Sequence, residues 1–173
     1  MQAKLFEPYG QTPDYGDTKD DWYTPSSIIE PARRILWSID LDPASCALAN
    51  EVVKAKKYFT IDDDGLSQDW FGNVWCNPPY SDTDRWVKKA LKEFREEKIN
   101  HCLFLCNASV DSRYVHRLLY FPNCFLLGRV AFWHPGKETG RARLGSMLTL
   151  ISGDPARILL FKREFSKLGA VKL

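Results

Sequence analysis

An α/β protein is predicted, built on a mainly parallel sheet with helices on both faces and an antiparallel edge. Three observations predict it. Strand-like and helix-like segments alternate along the chain. The strand-like runs, such as "HCLFLC", are continuously apolar, as strands buried on both faces are. Three strand candidates, "CFLLGRVAFWHPG", "GSMLTLIS" and "ARILLFKR", then follow one another late in the chain with no helix between them, which suggests the antiparallel edge. At 173 residues with 45% hydrophobic content, the chain suits one domain with a real core.

Residues 1–20, rich in Pro, Gly, Asp and Gln, lack either periodicity and read as a flexible arm; residues 21–173 read as the single domain. In "TPSSIIEPARRIL", Thr24 or Ser26 can cap a helix whose Ile28, Ile29, Ala32, Ile35 and Leu36 recur at helical spacing to about Trp37. "SIDLDPAS" is a short strand stopped by Pro43, and "CALANEVVKAKKYFT" a helical segment leading to an extended piece at 58–60. The acidic loop "IDDDGLSQDW" comes next, and then the strand "GNVWCN". "SDTDRWVKKALKEFREEK" is a capped amphipathic helix with Trp86, Val87, Ala90, Leu91 and Phe94 on one face. "NHCLFLCN" is a buried strand and "DSRYVHRLLYF" a short helix.

A net charge of +2 gives no overall sign of a nucleic-acid binder, so any such surface must come from local clustering. The five cysteines, Cys46, Cys76, Cys102, Cys106 and Cys124, form no Cys-x-x-Cys pair and have no His at ligand spacing. They read as free, mostly buried thiols, and no metal site is expected. The sequence has no apolar signal region and no apolar stretch near membrane-spanning length, so a cytoplasmic protein with no membrane association is expected.

The densest motif is "WCNPPYSD", where an amide, two rigid prolines and an aromatic ring follow a strand. Pro78 and Pro79 fix their own backbone angles and keep Asn77 and Pro78 out of the helical region, so the loop is stiff. Open α/β sheets bind ligands outside the carboxyl ends of their strands. Asn77, Asp42 and Asn107 all stand at such ends, which makes one polar rim.

"DWYTP", "LDPAS" with "AN", "KKYFT", "DDGLSQDW", "WCNPPYSD", "ASVDSRYVH" and "GRVAF" with "GSML" occur in this order over roughly residues 20–150. As a set they resemble the small phage and prophage DNA adenine methyltransferases that use S-adenosylmethionine. The resemblance implies a Rossmann-like methyltransferase core and the methylation of the 6-amino group of a flipped-out adenine. It makes Asn77, Pro78, Pro79 and Tyr80 the catalytic loop: the Asn77 side-chain oxygen and Pro78 carbonyl accept the amine hydrogens, and Tyr80 stacks on the base. It places Asp42, Pro43, Ala44 and Ser45 at the methionine end of the cofactor, in a loop without Gly-x-Gly, so that Ala44 and Ser45 stand where glycines are usual. Thr24 and Pro25 would close over that end. Asp64 would meet the cofactor adenine and Asp62 or Asp63 its ribose.

The implied partner is DNA. "GRVAFWHPGKETGRARLG" holds Arg129, Lys137, Arg141 and Arg143 against one acid, Glu138, and a basic loop between two strands suits phosphate contact. Arg113 in "VDSRYVH" is a further DNA candidate, while His116 reads as structural. The residues leave two other readings open. One is an RNA or protein-glutamine methyltransferase with the same clamp; the other is a catalytically dead nucleic-acid-binding module.

Overall fold

The computed structural model describes residues 22–133 and 140–173, and for Gly140 and Arg141 the backbone only. The expected arm at 1–20, and Lys137, lie outside the described residues.

The elements run α1 (Ser26–Leu36), β1 (Leu41–Asp42), α2 (Ala47–Val53), β2 (Lys57–Tyr58), β3 (Gly72–Cys76), a 3-10 turn (Tyr80–Asp82), α3 (Thr83–Arg95), β4 (Ile99–Asn107), α4 (Arg113–Leu118), β5 (Asn123–Leu126), β6 (Ala131–Phe132), β7 (Gly140–Arg141), β8 (Ser146–Ile151), α5 (Pro155–Phe165) and β9 (Gly169–Lys172). Seven strands form one sheet in the order β2-β1-β3-β4-β8-β5-β9, and β6 pairs with β7 as a separate ribbon.

The expectation of a mainly parallel sheet is corrected. The pairs β2–β1, β1–β3 and β3–β4 are parallel, whereas β4–β8, β8–β5 and β5–β9 are antiparallel, so the sheet is mixed. β8 follows β5 in sequence but lies between β4 and β5. Hydrophobic runs do not encode strand direction, so the antiparallel half looked smaller than it is.

Helices cover both faces, as expected. On one face Trp75, Leu103, Leu105, Leu148 and Leu150 pack with Ile28, Ile29, Ile35 of α1 and Phe161, Phe165 of α5. On the other, Val74, Cys76, Cys102, Phe104, Cys106 and Met147 pack with Trp86, Val87 of α3 and Val115, Leu118 of α4. Alternate residues of each strand therefore feed opposite cores, which is why the runs are continuously apolar. All five cysteines are free; four are buried, and Cys46 Sγ accepts the Ala49 N–H at the start of α2 (3.4 Å).

"ARILLFKR" is not a strand but most of α5. Asp154 Oδ1 accepts the Ala156 N–H (2.8 Å) and Pro155 occupies the first helical turn, both strong helix-start signals. The buried residues Arg157, Phe161, Glu164 and Phe165 follow helical spacing. Two of them are charged, so hydrophobicity alone hides the period. The Arg157 guanidinium donates to the Ile35 carbonyl and stacks on Trp37 at 3.6 Å, and Glu164 pairs with Arg34 at 2.9 Å. Two capping expectations also change: neither α1 nor α3 has a side-chain cap, and the cap position of α1 is Pro25, whose carbonyl accepts the Ile28 N–H at 3.0 Å.

Candidate active site

β1, β3 and β4 are parallel neighbours, so their carboxyl ends share a rim. β8 runs the other way, with Ser146 opposite Asn107, so the segment entering β8 reaches the same rim. A cavity of about 450 Å³ opens there. Asn77 and Pro78 line it from the end of β3, Tyr80 and Ser81 from the 3-10 turn, and Asn107 from the end of β4. Trp22, Phe132 and the segment Ala142–Leu144 complete the wall.

The Asn77 side-chain oxygen is buried and has no hydrogen-bond partner. A buried carbonyl left unmatched costs roughly 1–3 kcal/mol, so its persistence on a cavity wall points to a ligand donor. Tyr80 meets Phe132 edge-on at 6.2 Å between ring centres, and burial of its hydroxyl pushes that group's pKa well above the usual phenol value. Aromatic walls with inward amides suit a planar, polar-edged guest.

Trp22 lines the cavity where the chain beside it is tied to Trp133, directly after β6. Tyr23 and Trp133 exchange backbone hydrogen bonds of 2.9 and 3.1 Å, their rings meet edge-on at 5.0 Å, and the Trp133 indole N–H donates to the Thr24 carbonyl at 3.4 Å. Thr24 is buried, and Pro25 stands at the cap of α1.

At the end of β1, Asp42 is buried at 3% exposure, and its carboxylate accepts the Ala44 N–H at 3.3 Å. Burial pushes its pKa up to about 7, outweighing the Ala44 N–H and the nearby Ser45 hydroxyl, which favour the charged form. Pro43 is buried, and Ala44 and Ser45 are half-buried. Gly65, in the acidic turn, lies so near that a Cβ there would stand 1.9 Å from the Pro43 carbonyl oxygen. The Trp70 indole N–H donates to the Gly65 carbonyl at 2.8 Å and Phe59 N–H to Asp42 O at 3.0 Å, which fixes the turn against β1.

In that turn Asp63 accepts the Thr60 N–H and hydroxyl, both at 2.8 Å; these bonds hold its carboxyl below the usual range. Asp64 has a left-handed backbone (φ 48°), and its side chain accepts from Leu66 N–H at 3.3 Å. Both acids are exposed and carry local turn bonds. Asn50 of "AN" bonds Ala55 through both its amide nitrogen (3.2 Å) and oxygen (2.8 Å), stapling α2 to β2.

Of the residues singled out in the sequence, Asn77, Pro78, Tyr80, Asn107 and Arg143 come together on the cavity wall. Thr24, Pro25, Asp42, Pro43, Ala44, Ser45, Asp63, Asp64, Pro79, Arg113 and Arg129 are not among its lining residues. Arg129 packs against Gly145, a Cβ there lying 3.5 Å from Nη1, and Arg113 is exposed at the start of α4. Arg141 is described only as backbone of β7. His116 bonds the Val110 carbonyl at 2.8 Å. Trp22, Ser81, Phe132, Ala142 and Leu144 were missed; each lies inside a motif already noted, but only the strand order reveals that these motifs meet. Among the described residues no group of three His, Cys, Asp or Glu is arranged to hold a metal, and no helix is long and apolar enough to cross a membrane.

Residues 11–162 match the family model described as DNA N-6-adenine-methyltransferase (Dam). A protein of Escherichia phage T1 named DNA N-6-adenine-methyltransferase is 34% identical over 84 residues, 47% of this chain and 33% of that protein. One of the same name from Haemophilus phage HP1 (strain HP1c1) is 33% identical over 76 residues, 43% of each chain. The matched stretches thus span less than half of either relative's length.

Proposed function

Because this chain belongs to the DNA N-6-adenine-methyltransferase family, we propose that it transfers a methyl group from S-adenosylmethionine to the exocyclic 6-amino group of an adenine turned out of DNA. The observation that carries the proposal is the buried, unpartnered Asn77 oxygen on the wall of a cavity with aromatic sides. Adenine's amine is planar and weakly nucleophilic because its lone pair is delocalised into the ring. Asn77 Oδ1 and the Pro78 carbonyl each accept one amine hydrogen, which localises the lone pair. Tyr80, together with Phe132 and Trp22, gives the base a flat face to stack on, worth about 1–3 kcal/mol per base. The base must leave the duplex because its reacting atom is unreachable in the stack. Positioning and hydrogen bonding suffice, and no protein nucleophile is needed.

S-adenosylmethionine, when bound, supplies the methyl group on a positively charged sulfur. Asp42 fits such a ligand: a buried carboxyl short of donors gains most from a cation. In this reading Asp42, Pro43, Ala44 and Ser45 hold the methionine end, Thr24 and Pro25 close over it, and Asp63 and Asp64 serve the nucleoside. Residues 21–173 act as one domain with a Rossmann-like methyltransferase core, a reading supported by the shared rim of β1, β3 and β4. Arg113, Arg129, Lys137, Arg141 and Arg143 contact DNA phosphates, and the setting is the cytoplasm.

The test separates catalysis from binding. Asn77→Ala should cut methyl transfer to DNA by about 100-fold or more while leaving S-adenosylmethionine affinity near wild type in calorimetry, since it removes a transition-state acceptor and no cofactor contact. Near wild-type turnover by the folded variant sinks the proposal.

A further inference from the structure

Leu144 lines the cavity, yet it is 49% exposed. The segment bearing it is held at both ends: Ala142 N–H donates to the Val130 carbonyl at 3.0 Å, and the Gly145 carbonyl accepts the Ala108 N–H at 2.7 Å. Directly afterwards Ser146 is buried and paired with Asn107 in the sheet. The chain is thus fixed on either side of Arg143 and Leu144, and both side chains are exposed at the mouth of the cavity. The other large apolar side chains that stand out in water, such as Ile61, Tyr120 and Leu127, are not on this wall.

We propose that Leu144 is a wedge that enters the DNA duplex and fills the space left by the extruded base. This inference rests on the base-extrusion reading above and deepens it. A base turned into the cavity leaves its two stacking neighbours facing a gap, and an apolar side chain of leucine size restores part of that contact, as wedge residues do between base steps elsewhere. Its position fits the task, because a side chain on the rim of the receiving cavity lies beside the path along which the base leaves. Arg143, adjacent and exposed, brings positive charge toward the strand backbone at the same place.

The wedge acts while the duplex is being opened, so weakening the target's pairing should lessen the need for it. The adenines methylated by the wild-type protein are first mapped on unmethylated plasmid DNA with S-adenosylmethionine. Short duplexes of a mapped site are then made with the target adenine opposite thymine or opposite an abasic site. Leu144→Ala should slow methylation of the thymine-paired duplex at least about tenfold more than it slows methylation of the abasic one. Leu144→Met, which keeps an apolar side chain of similar length, should retain activity on both. Equal losses on the two duplexes, or no loss on the paired one, overturn the wedge alone. A wild-type protein that methylates no adenine overturns both the wedge and the extrusion reading.

Discussion

A carboxyl group as buried as Asp42, given one backbone N–H at 3.3 Å, is costly to ionise. Its pKa is raised from 3.8 to about 7, so the folded chain stays protonated over a range in which the unfolded chain is already charged. The sign follows: this group's contribution to stability falls as pH rises from about 4 to about 7 and is level above, a loss of at most a few kcal/mol. Asp42→Asn should therefore melt higher than wild type at pH 8 and close to it at pH 4, which differential scanning calorimetry reads directly. If Asp42 faces the sulfonium as proposed, the same variant should bind S-adenosylmethionine at least tenfold more weakly. Wild-type affinity should itself drop as pH is lowered below about 7, because binding then has to displace a proton. The position of Asp42 at a strand end was legible in the sequence; its shortage of donors was not, since that depends on what packs around it.

Two elements, the acidic turn and β1, work as a single piece because Gly65 leaves no room between them. Gly65→Ala puts a methyl group against the Pro43 carbonyl, and the backbone must move. A destabilisation of about 1–3 kcal/mol is expected, seen as a lower melting temperature together with weaker cofactor binding. In "DDGLSQDW" nothing in the sequence singles out the glycine, because a turn glycine and a close-approach glycine read identically in sequence. The segment entering β8 gives a second test at this scale. If Arg143 neutralises a phosphate, Arg143→Ala should flatten the plot of log DNA affinity against log salt by about one unit, with a similar loss on unrelated sequences. Helix α5 shows where element reading fails: with Arg157 and Glu164 among its buried residues, its period is carried partly by charged groups whose partners, Ile35 O and Arg34, lie more than a hundred residues away.

For the molecule as a whole, alternation and apolar runs revealed a layered α/β fold and the rim on which Asn77 and Asn107 meet. They did not reveal the order of the strands. β9, only four residues with half-buried alternation, left too weak a pattern to detect, yet it pairs along all of β5 and ends the sheet. Removing Gly169–Leu173 should expose the β5 edge, lowering the melting temperature by about 5 °C or more and raising light scattering on heating.

The position of β8 between β4 and β5 bears on how the protein is made. β4 and β5 leave the ribosome first, each with an edge awaiting a strand not yet synthesised, so the sheet stays divided until Ser146–Ile151 arrives and joins the halves. That same strand carries in the Ala142–Leu144 wall of the cavity. A partly synthesised chain is therefore not a weaker version of the finished protein: it lacks one side of its pocket, and gains that side in the step that closes its sheet.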